Sequence, residues 1–372
     1  MADIPNFINR DPDAIMAEVT AEFESKLGRP LQSGQFEQLV AQIISYFEVL
    51  LLERFNAGMA QLLVQFSNAP ILDYIAALVA VERLPAANAG CTVKFNLVSG
   101  HGSVVLPIGT RVASQDGQHI FEVVDDITIA AGEVEVETLV TAQIAGKSAN
   151  GIPIGGINTI LDPIAWISSV ENTEPTSGGS DVETDEQLRE RIKLAPSQFS
   201  VAGPRQAYMF FAKSANPSII DVSVADANET GQPGVVTIVP LCEDGNYTQV
   251  IQDIENVCNA ENIRPLNDKL DVKPPSEVHY NLEVDLTLFT GSNSNDVESK
   301  VIMALEDFTD AKSKRLGLDI VRSAIVQVCR LPEVYDVKIV SPSFATGNII
   351  IDFNEVPICD SISVNVIGFN NG

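Results

Sequence analysis

The sequence predicts an α+β multidomain protein with N-terminal helices, a small antiparallel β domain and two C-terminal α+β domains. Three observations lead to this prediction. The chain has 372 residues, which exceeds the length that a single hydrophobic core normally organises. Apolar residues recur at helical spacing before Pro85 and alternate with polar residues after it. Beyond residue 183, helical and strand patterns follow one another with short connections.

The N-terminal region, residues 1–84, carries the helical pattern. A short helix is expected at residues 14–27 and a long one at residues 33–66, with Ser33 as its N-cap. Gly58 marks a point where the long helix would break. A further helix is expected at residues 71–81, before Pro85.

The long helix has an apolar stripe that suits either the protein core or an intermolecular helix bundle. Core packing is the default interpretation, but the length and breadth of the stripe leave room for the bundle. The candidate interface residues are Phe36, Leu39, Ile43, Phe47, Leu51 and Phe55.

Residues 85–170 are predicted to form the β domain. Strict alternation begins at Cys91-Thr-Val93, and the alternating acids of residues 133–137 predict a solvated acidic sheet face. Residues 171–182, ENTEPTSGGSDV, have the composition of a linker, with Gly178 and Gly179 as a flexible hinge.

The remainder is predicted to form a central α+β domain at residues 183–275 and a C-terminal one at residues 276–372. Thr184-Asp-Glu-Gln187 fits a capping box, and Gly203-Pro204 suits the start of the next helix. Strands are expected at residues 219–224, 235–239, 270–272, 280–288, 334–340, 349–353 and 362–366, and helices at 248–258, from 295, and at 319–328.

Charge and cysteine usage exclude several classes of protein. The 50 acidic and 23 basic residues give a formal charge of −27, which argues against nucleic-acid partners and against docking on anionic membranes. Signal-peptide and transmembrane patterns are absent, so synthesis in a cytoplasm is expected. The five cysteines are scattered, as expected for buried small side chains in a reducing compartment.

The sequence offers little chemistry, and we predict no enzyme activity, no metal and no cofactor. The three histidines lack metal-ligand spacing and are expected at the surface or at strand edges. Asp181, Glu183 and Asp185 resemble the start of a calcium loop, but Glu186 and Ile192 replace its glycine and its bidentate glutamate. Helix capping is therefore the preferred interpretation of this segment. An adhesin-type binding module and a carbohydrate-cleaving enzyme with paired carboxylates remain alternatives.

An ordered series of segments carries a family resemblance. It begins with Leu72-Asp-Tyr-Ile-Ala76 and Glu82-Arg-Leu-Pro-Ala86, and continues with Leu106-Pro-Ile-Gly-Thr110. It ends with residues 178–191, residues 199–208 and Ile220-Asp-Val-Ser-Val224. Together these segments resemble the baseplate J-like family of contractile phage tails and related injection machines, over roughly residues 65–370.

The resemblance implies a structural wedge subunit of a sixfold baseplate ring around a hub and spike, which couples baseplate rearrangement to sheath contraction. The implied partners are other wedge proteins, a second copy of the chain, the hub and spike, and sheath-adaptor proteins. The implied location is the virion tail baseplate, with a phage-tail-like bacteriocin or an extracellular injection system as alternatives. The motif residues with structural roles are Gly178, Gly179, Asp181, Thr184, Asp185, Leu188, Arg191, Gly203, Pro204 and Tyr208.

Overall fold

The computed structural model confirms the α+β class and divides the chain into two compact units. It describes residues 5–8, 11–199, 205–243, 245, 247–260, 263–265, 267–342 and 348–371. The first unit comprises Met1–Arg83 with Thr184–Lys193, and the second comprises Leu84–Glu183 with Leu194–Gly372. The capping-box helix therefore packs with the N-terminal helices, whereas the sequence predicted that it opens the central domain.

Four helices of the first unit are α1 (Pro12–Leu27), α2 (Phe36–Ala60), α3 (Ile71–Leu78) and α4 (Asp185–Leu194). Helix α1 packs against α2. Two predictions for α2 are wrong: its N-cap is Gln35, which makes no side-chain cap bond, and the helix continues through Gly58 to end at Ala60. At about 1.5 Å per residue, α2 is about 37 Å long.

The buried face of α2 is made of small and polar side chains. Its buried residues are Ala41, Ser45, Asn56 and Ala60. The Ser45 hydroxyl donates to the Ala41 carbonyl at 2.9 Å. The Asn56 carboxamide accepts from the Phe7 and Ile8 amides at 2.9 and 3.0 Å and donates to the Ile8 carbonyl at 2.9 Å. The inner face of α2 therefore holds its position by close approach and hydrogen bonds, together with half-buried apolar side chains such as Leu52.

The β domain is an antiparallel sheet of six strands with nearly closed, barrel-like form. The strand order is β7-β3-β4-β6-β1-β8, and a two-stranded sheet, β2-β5, accompanies it. The strands are β1 (Gly90–Leu97), β2 (Val104–Leu106), β3 (Arg111–Ser114), β4 (Ile120–Val123), β5 (Ile127–Ile129), β6 (Glu135–Ala142), β7 (Ile157–Ile160) and β8 (Ile167–Asn172). Alternate residues such as Val93, Phe95 and Phe121 are fully buried and fill the interior, as the alternation predicted.

Asn172 joins the two edge strands of this sheet and is fully buried. Its side-chain oxygen accepts from the Ile157 amide at 2.9 Å, and its carbonyl accepts from the Gly155 amide at 3.2 Å. Its side-chain nitrogen donates to the Pro153 and Glu174 carbonyls at 3.0 and 2.7 Å. A single carboxamide thus satisfies backbone groups that two incompletely paired strands would otherwise leave buried without partners.

The predicted linker at residues 171–182 is instead part of the β domain. Its second half pairs antiparallel with residues 84–90, through the bridges Ala87–Ser180 and Gly90–Ser177. The amide of Leu84 lies 2.9 Å from a carboxylate oxygen of Glu183, and the Glu183 amide donates to the Leu84 carbonyl at 3.1 Å. Small residues suit this segment because its backbone lies close to neighbouring backbone, as at Gly179 beside the Gly146 carbonyl. A composition rich in glycine and serine is the same for such a packed segment and for a flexible linker.

Beyond residue 194 the second unit contains α5 (Arg205–Ala215), β9 (Ile219–Ala225), α6 (Ala227–Thr230), β10 (Val235–Cys242), α7 (Thr248–Cys258) and β11 (Lys269–Val272). The strands form a three-stranded sheet in the order β11-β10-β9. Helix α5 packs on β9 and on α7, around a core that includes Tyr208, Ile238 and Ile254. The structure confirms the predicted helix at 248–258 residue for residue.

The C-terminal region contains β12 (Ser276–Phe289), α8 (Ser294–Ser313), α9 (Arg322–Cys329), β13 (Val334–Ser341) and β14 (Glu355–Asn370). Strand β12 is central, antiparallel to β13 and parallel to β14. The predicted strand at 349–353 is wrong: Ile349 forms only an isolated bridge with Ile320. Four cysteines are buried as predicted, and Cys359 is half-buried.

We predict that Asn172→Ala destabilises the barrel by about 1–3 kcal/mol, because it leaves the buried Ile157 amide and two carbonyls unsatisfied. Urea unfolding followed by fluorescence measures this, because Trp166, next to β8, is the sole tryptophan. The matched control is Asn96→Ala, which removes an exposed hydrogen bond to the Ser169 hydroxyl at 3.0 Å. Equal losses in the two variants would contradict the role of Asn172.

Candidate functional site

The motif helix α4 begins with the predicted capping box. The Gln187 amide donates to the Thr184 hydroxyl at 3.3 Å, and the Thr184 amide donates to the Gln187 side chain at 3.0 Å. Asp185 and Glu186 occupy the first turn, where the helix dipole favours negative charge. Leu188, one turn further on, is fully buried. The motif therefore fixes where α4 starts and which face it buries.

Arg83 links this helix to α3 through two carboxylates. Its Nε lies 2.7 Å from Asp73 Oδ1, and its Nη2 lies 2.7 Å from Asp185 Oδ1. The second oxygen of Asp185 accepts from the Ala69 amide at 3.2 Å. Burial opposes ionisation of Asp185, but the bonds from Arg83 and Ala69 outweigh it and lower its pKa. Burial likewise opposes the charge of Arg83, whose pKa is nevertheless raised by its two carboxylate partners.

Two further arginines of α4 bind backbone carbonyls of the same unit. Arg189 donates to the Val64 and Ser67 carbonyls at 2.9 and 2.8 Å. Arg191 is buried and donates to the Glu82 carbonyl at 3.1 Å. A guanidinium offers several donors in a fixed plane, which suits a loop whose carbonyls lack strand partners. The arginines of the motif thus hold the segment between α2 and β1 against α4.

The two glycines of the motif meet different requirements, backbone conformation at Gly178 and close packing at Gly179. Gly178 has a left-handed φ of 81°. At Gly179, a Cβ would lie 2.4 Å from the Gly146 carbonyl oxygen and 2.8 Å from Asn150 Oδ1. The Asn150 side chain exchanges two hydrogen bonds with the Gly179 backbone, at 2.7 and 2.9 Å. Only glycine fits at position 179, so the predicted hinge is a tightly packed contact.

Asp181 accepts from the Lys147 amide at 3.2 Å, while Glu183 and Asp185 bind other donors described above. Because the three carboxylates face different donors, they form no calcium loop. Within the described part of the chain, no group of three or more His, Cys, Asp and Glu side chains is placed to hold a metal ion.

Tyr208 is buried, and its hydroxyl donates to Asp268 at 2.9 Å. Burial and this bond raise the pKa of its phenol. Gly203 and Pro204 lie outside the described residues, so their predicted roles at the start of α5 stay predictions.

The candidate interface residues on α2 are all exposed. Phe36, Leu39, Ile43, Phe47, Leu51 and Phe55 retain between 48% and 75% of their accessible surface. Ser45 and Asn56, on the buried face, lie about half a turn away from Phe47 around the helix. The apolar stripe and the packed face of α2 are therefore opposite faces.

Three family models match the chain in order. The Baseplate J-like protein barrel domain matches residues 92–179, the Baseplate J-like central domain matches residues 200–274, and the Baseplate J-like protein C-terminal domain matches residues 280–365. Together the matches cover more than half of the chain. The chain belongs to the Baseplate J-like family. It is a structural baseplate protein by family, and the absence of enzyme activity stays a prediction.

Two relatives accompany the family match. Baseplate protein J of Escherichia phage P2 is 26% identical over 224 residues, which cover 59% of this chain and 71% of that protein. A chain in the cryo-EM structure of the anti-feeding prophage (AFP) baseplate, 6-fold symmetrised, is 14% identical with a TM-score of 0.38, and the likeness covers 95% of this chain and 92% of that chain. None of the helices described here is long and apolar enough to cross a bilayer.

Sequence reasoning about this baseplate protein missed the partners that make the motif work. Arg83 and Asp73 lie in the resembling segments but have no role that the sequence predicts, and Asn172 falls in the predicted linker. The available signal was the capping box at Thr184, since an acid at the first helical position often binds a cation or an amide. Nothing in the sequence indicates that the cation comes from residue 83, about one hundred positions away.

We predict that Asp185→Asn weakens the attachment of α4 to α3 by about 1–2 kcal/mol at pH 7, because a charge-assisted bond becomes a neutral one. Hydrogen–deuterium exchange of peptides covering α3 and α4 measures the change. The lowered pKa of Asp185 means that its contribution is complete above the unfolded pKa of about 3.9 and is lost as the pH falls through the folded pKa.

The wild type should therefore approach the variant at the acidic end of a pH series. The matched control is Glu186→Gln, which removes an 81% exposed carboxylate one residue along, 3.5 Å from Arg189. Equal loss of protection in the two variants would show that the Arg83–Asp185 contact is not the one that holds α4.

Proposed function

We propose that this protein is a wedge subunit of a contractile-tail baseplate. In this proposal it assembles in a sixfold ring around a central hub and spike and couples baseplate rearrangement to sheath contraction. Its partners are other wedge proteins, a second copy of the chain, the hub and spike, and sheath-adaptor proteins. It acts in the virion after synthesis in the host cytoplasm, without nucleic-acid or membrane partners. Family membership supports the baseplate part of the proposal.

The exposed stripe on α2 is the observation that supports an assembly role. Burying a large apolar side chain is worth about 1.5–3 kcal/mol, so six exposed ones are a large unused driving force. Large exposed apolar patches on soluble proteins mark interaction sites. Since the opposite face of α2 already packs within the unit, the stripe is available to helices of another chain.

The charge pattern along α2 favours this interface over the other surfaces of an acidic chain. Arg54 lies two turns beyond Phe47 on this face, and the two carboxylates nearest to the stripe, Glu37 and Glu48, lie only along its edge, at the helical angle of Phe55. A chain with a formal charge of −27 repels its own copies across most contacts. A stripe whose acids lie along one edge only combines weaker repulsion with a large apolar area to bury.

The rearrangement in this proposal does not rotate about residues 171–182. That segment is paired with residues 84–90. The Gly146 carbonyl and the Asn150 side chain fill the space beside Gly179. Any rigid-body motion of the barrel therefore carries the segment with it. Sequencing of the neighbouring genes would distinguish a phage, a bacteriocin-like tail and an injection system. Electron microscopy of the particle tests the ring.

We predict that Phe47→Glu weakens self-association through α2 by at least about tenfold, because a carboxylate would enter an apolar interface near its centre. Sedimentation equilibrium of the full chain over a concentration series measures the effect. Deletion of residues 1–66 should abolish this association entirely.

The matched control is Gln42→Glu, which adds the same charge at an exposed position on another face of α2. It should leave the oligomeric state unchanged. An oligomeric state that survives both Phe47→Glu and the deletion would refute the bundle. A wild-type chain that is monomeric over the whole concentration series would refute self-association. Another wedge protein would then be the partner to test by co-purification.

A further inference from the structure

Two of the three histidines have acceptor oxygens at both ring nitrogens. His101 lies between β1 and β2, and the sequence predicts it at the surface or at a strand edge. It is instead buried, at 5% exposure. Its Nδ1 lies 2.6 Å from the Gly102 carbonyl oxygen, and its Nε2 lies 2.6 Å from the Glu133 carbonyl oxygen. His279 on β12 is exposed, with Nδ1 2.8 Å from Asp360 and Nε2 3.1 Å from Glu277.

A neutral imidazole cannot satisfy either arrangement. It carries one N–H and one lone pair, so only one of its nitrogens can donate. Carbonyl oxygens have no proton to give, so the second contact of a neutral His101 would oppose two lone pairs at 2.6 Å. The same holds at His279 when both carboxylates are ionised. Both contacts become hydrogen bonds only when the ring carries two protons.

We propose that His101 and His279 are proton-binding sites, and that each is an imidazolium whose two N–H groups link two segments of the folded chain. We call each such link a staple. His101 joins the β1–β2 loop to the turn that precedes β6. His279 joins β12 to Asp360, at a register shift in the pairing of β12 with β14. Such a bulge frees a side chain from the regular pleat and directs it at a partner. The proposal is independent of assembly and of the proposed function.

The groups around each ring agree with this assignment. At His101 the two backbone bonds raise the pKa and outweigh burial, and Glu133 adds a favourable negative field. The Glu133 carboxylate itself is held by the Ala130 amide at 3.0 Å. At His279 the bond and charge of Asp360 raise the pKa most, and Glu277 adds to them.

The sign of the pH effect follows from these directions. A folded-state pKa above the unfolded value of about 6.5 makes each staple fully effective below that pH. Its contribution is lost as the pH rises through the folded pKa. Over the pH range in which the two histidines titrate, the folded chain therefore binds more protons than the unfolded chain.

The experiment is a titration of the ring signals by NMR in the wild-type full chain labelled with ¹³C,¹⁵N-histidine. His101→Gln, His279→Gln and His119→Gln assign the three signals. The midpoint pH of His101 and of His279 should be higher in the folded chain than in the urea-unfolded chain. At pH values below the folded-state midpoint, both ring nitrogens should show N–H character. A midpoint at or below the unfolded one, for either residue, would overturn the proposal.

Hydrogen exchange then tests the staple itself. In the wild type, peptides covering residues 99–103 and 130–134 should lose protection between pH 6 and pH 9, after correction for intrinsic exchange. His101→Gln cannot titrate and should show low protection at both values. Protection that is independent of pH in the wild type would overturn the staple even with a raised midpoint.

Discussion

Antiparallel pairing between residues 84–90 and 177–183 holds together the two ends of the chain segment that forms the barrel. The two paired segments form a ribbon that is continuous with β1. Through this ribbon β8 lies beside β1, on the side opposite β6, which completes the sheet order. Asn172 can then reach the Ile157 amide and close the gap between the edge strands. The same ribbon places Gly179 against the Gly146 carbonyl, which admits no side chain. The barrel interior, its closure and the glycine motif therefore depend on one set of backbone hydrogen bonds.

The acidic excess has a structural use that net charge does not reveal. Several carboxylates accept hydrogen bonds from backbone amides in loops or at the first residue of a helix or strand, where the amide has no partner within that element. Each such bond satisfies a donor that would otherwise be left open where the chain turns, and charge makes the bond stronger than a neutral one. The pairs include Asp185 with Ala69, Asp126 with Ile108, Asp162 with Arg111, Asp181 with Lys147, Asp221 with Leu316, and Asp319 with Ile351. Some of the carboxylates that give the chain its formal charge of −27 therefore have a structural role, because they hold irregular segments of the backbone in place.

Local patterns predicted the elements whose stability is local. The helix at 248–258 has a regular apolar face, and the alternation in β12 is uninterrupted, so both were predicted from sequence. Predictions failed where a distant partner decides the structure. Residues 349–353 alternate like a strand but meet no neighbouring strand, and residues 171–182 have a linker's composition but a strand's partners. The capping box of α4 was predictable, while Arg83 was not, because its two partners come from α3 and from a helix about one hundred residues away.

Helix α2 shows why the sequence left its stripe open between core and interface. Amphipathicity normally identifies the buried face, and here it identifies the exposed one. Ala41, Ser45 and Asn56 serve the inner face well because small side chains allow α1 to approach and Asn56 captures backbone groups of residues 7 and 8. The large apolar side chains on the other face retain about half or more of their accessible surface in the isolated chain. Large exposed apolar side chains of this kind mark interaction surfaces, and the proposed contact with another chain would bury them.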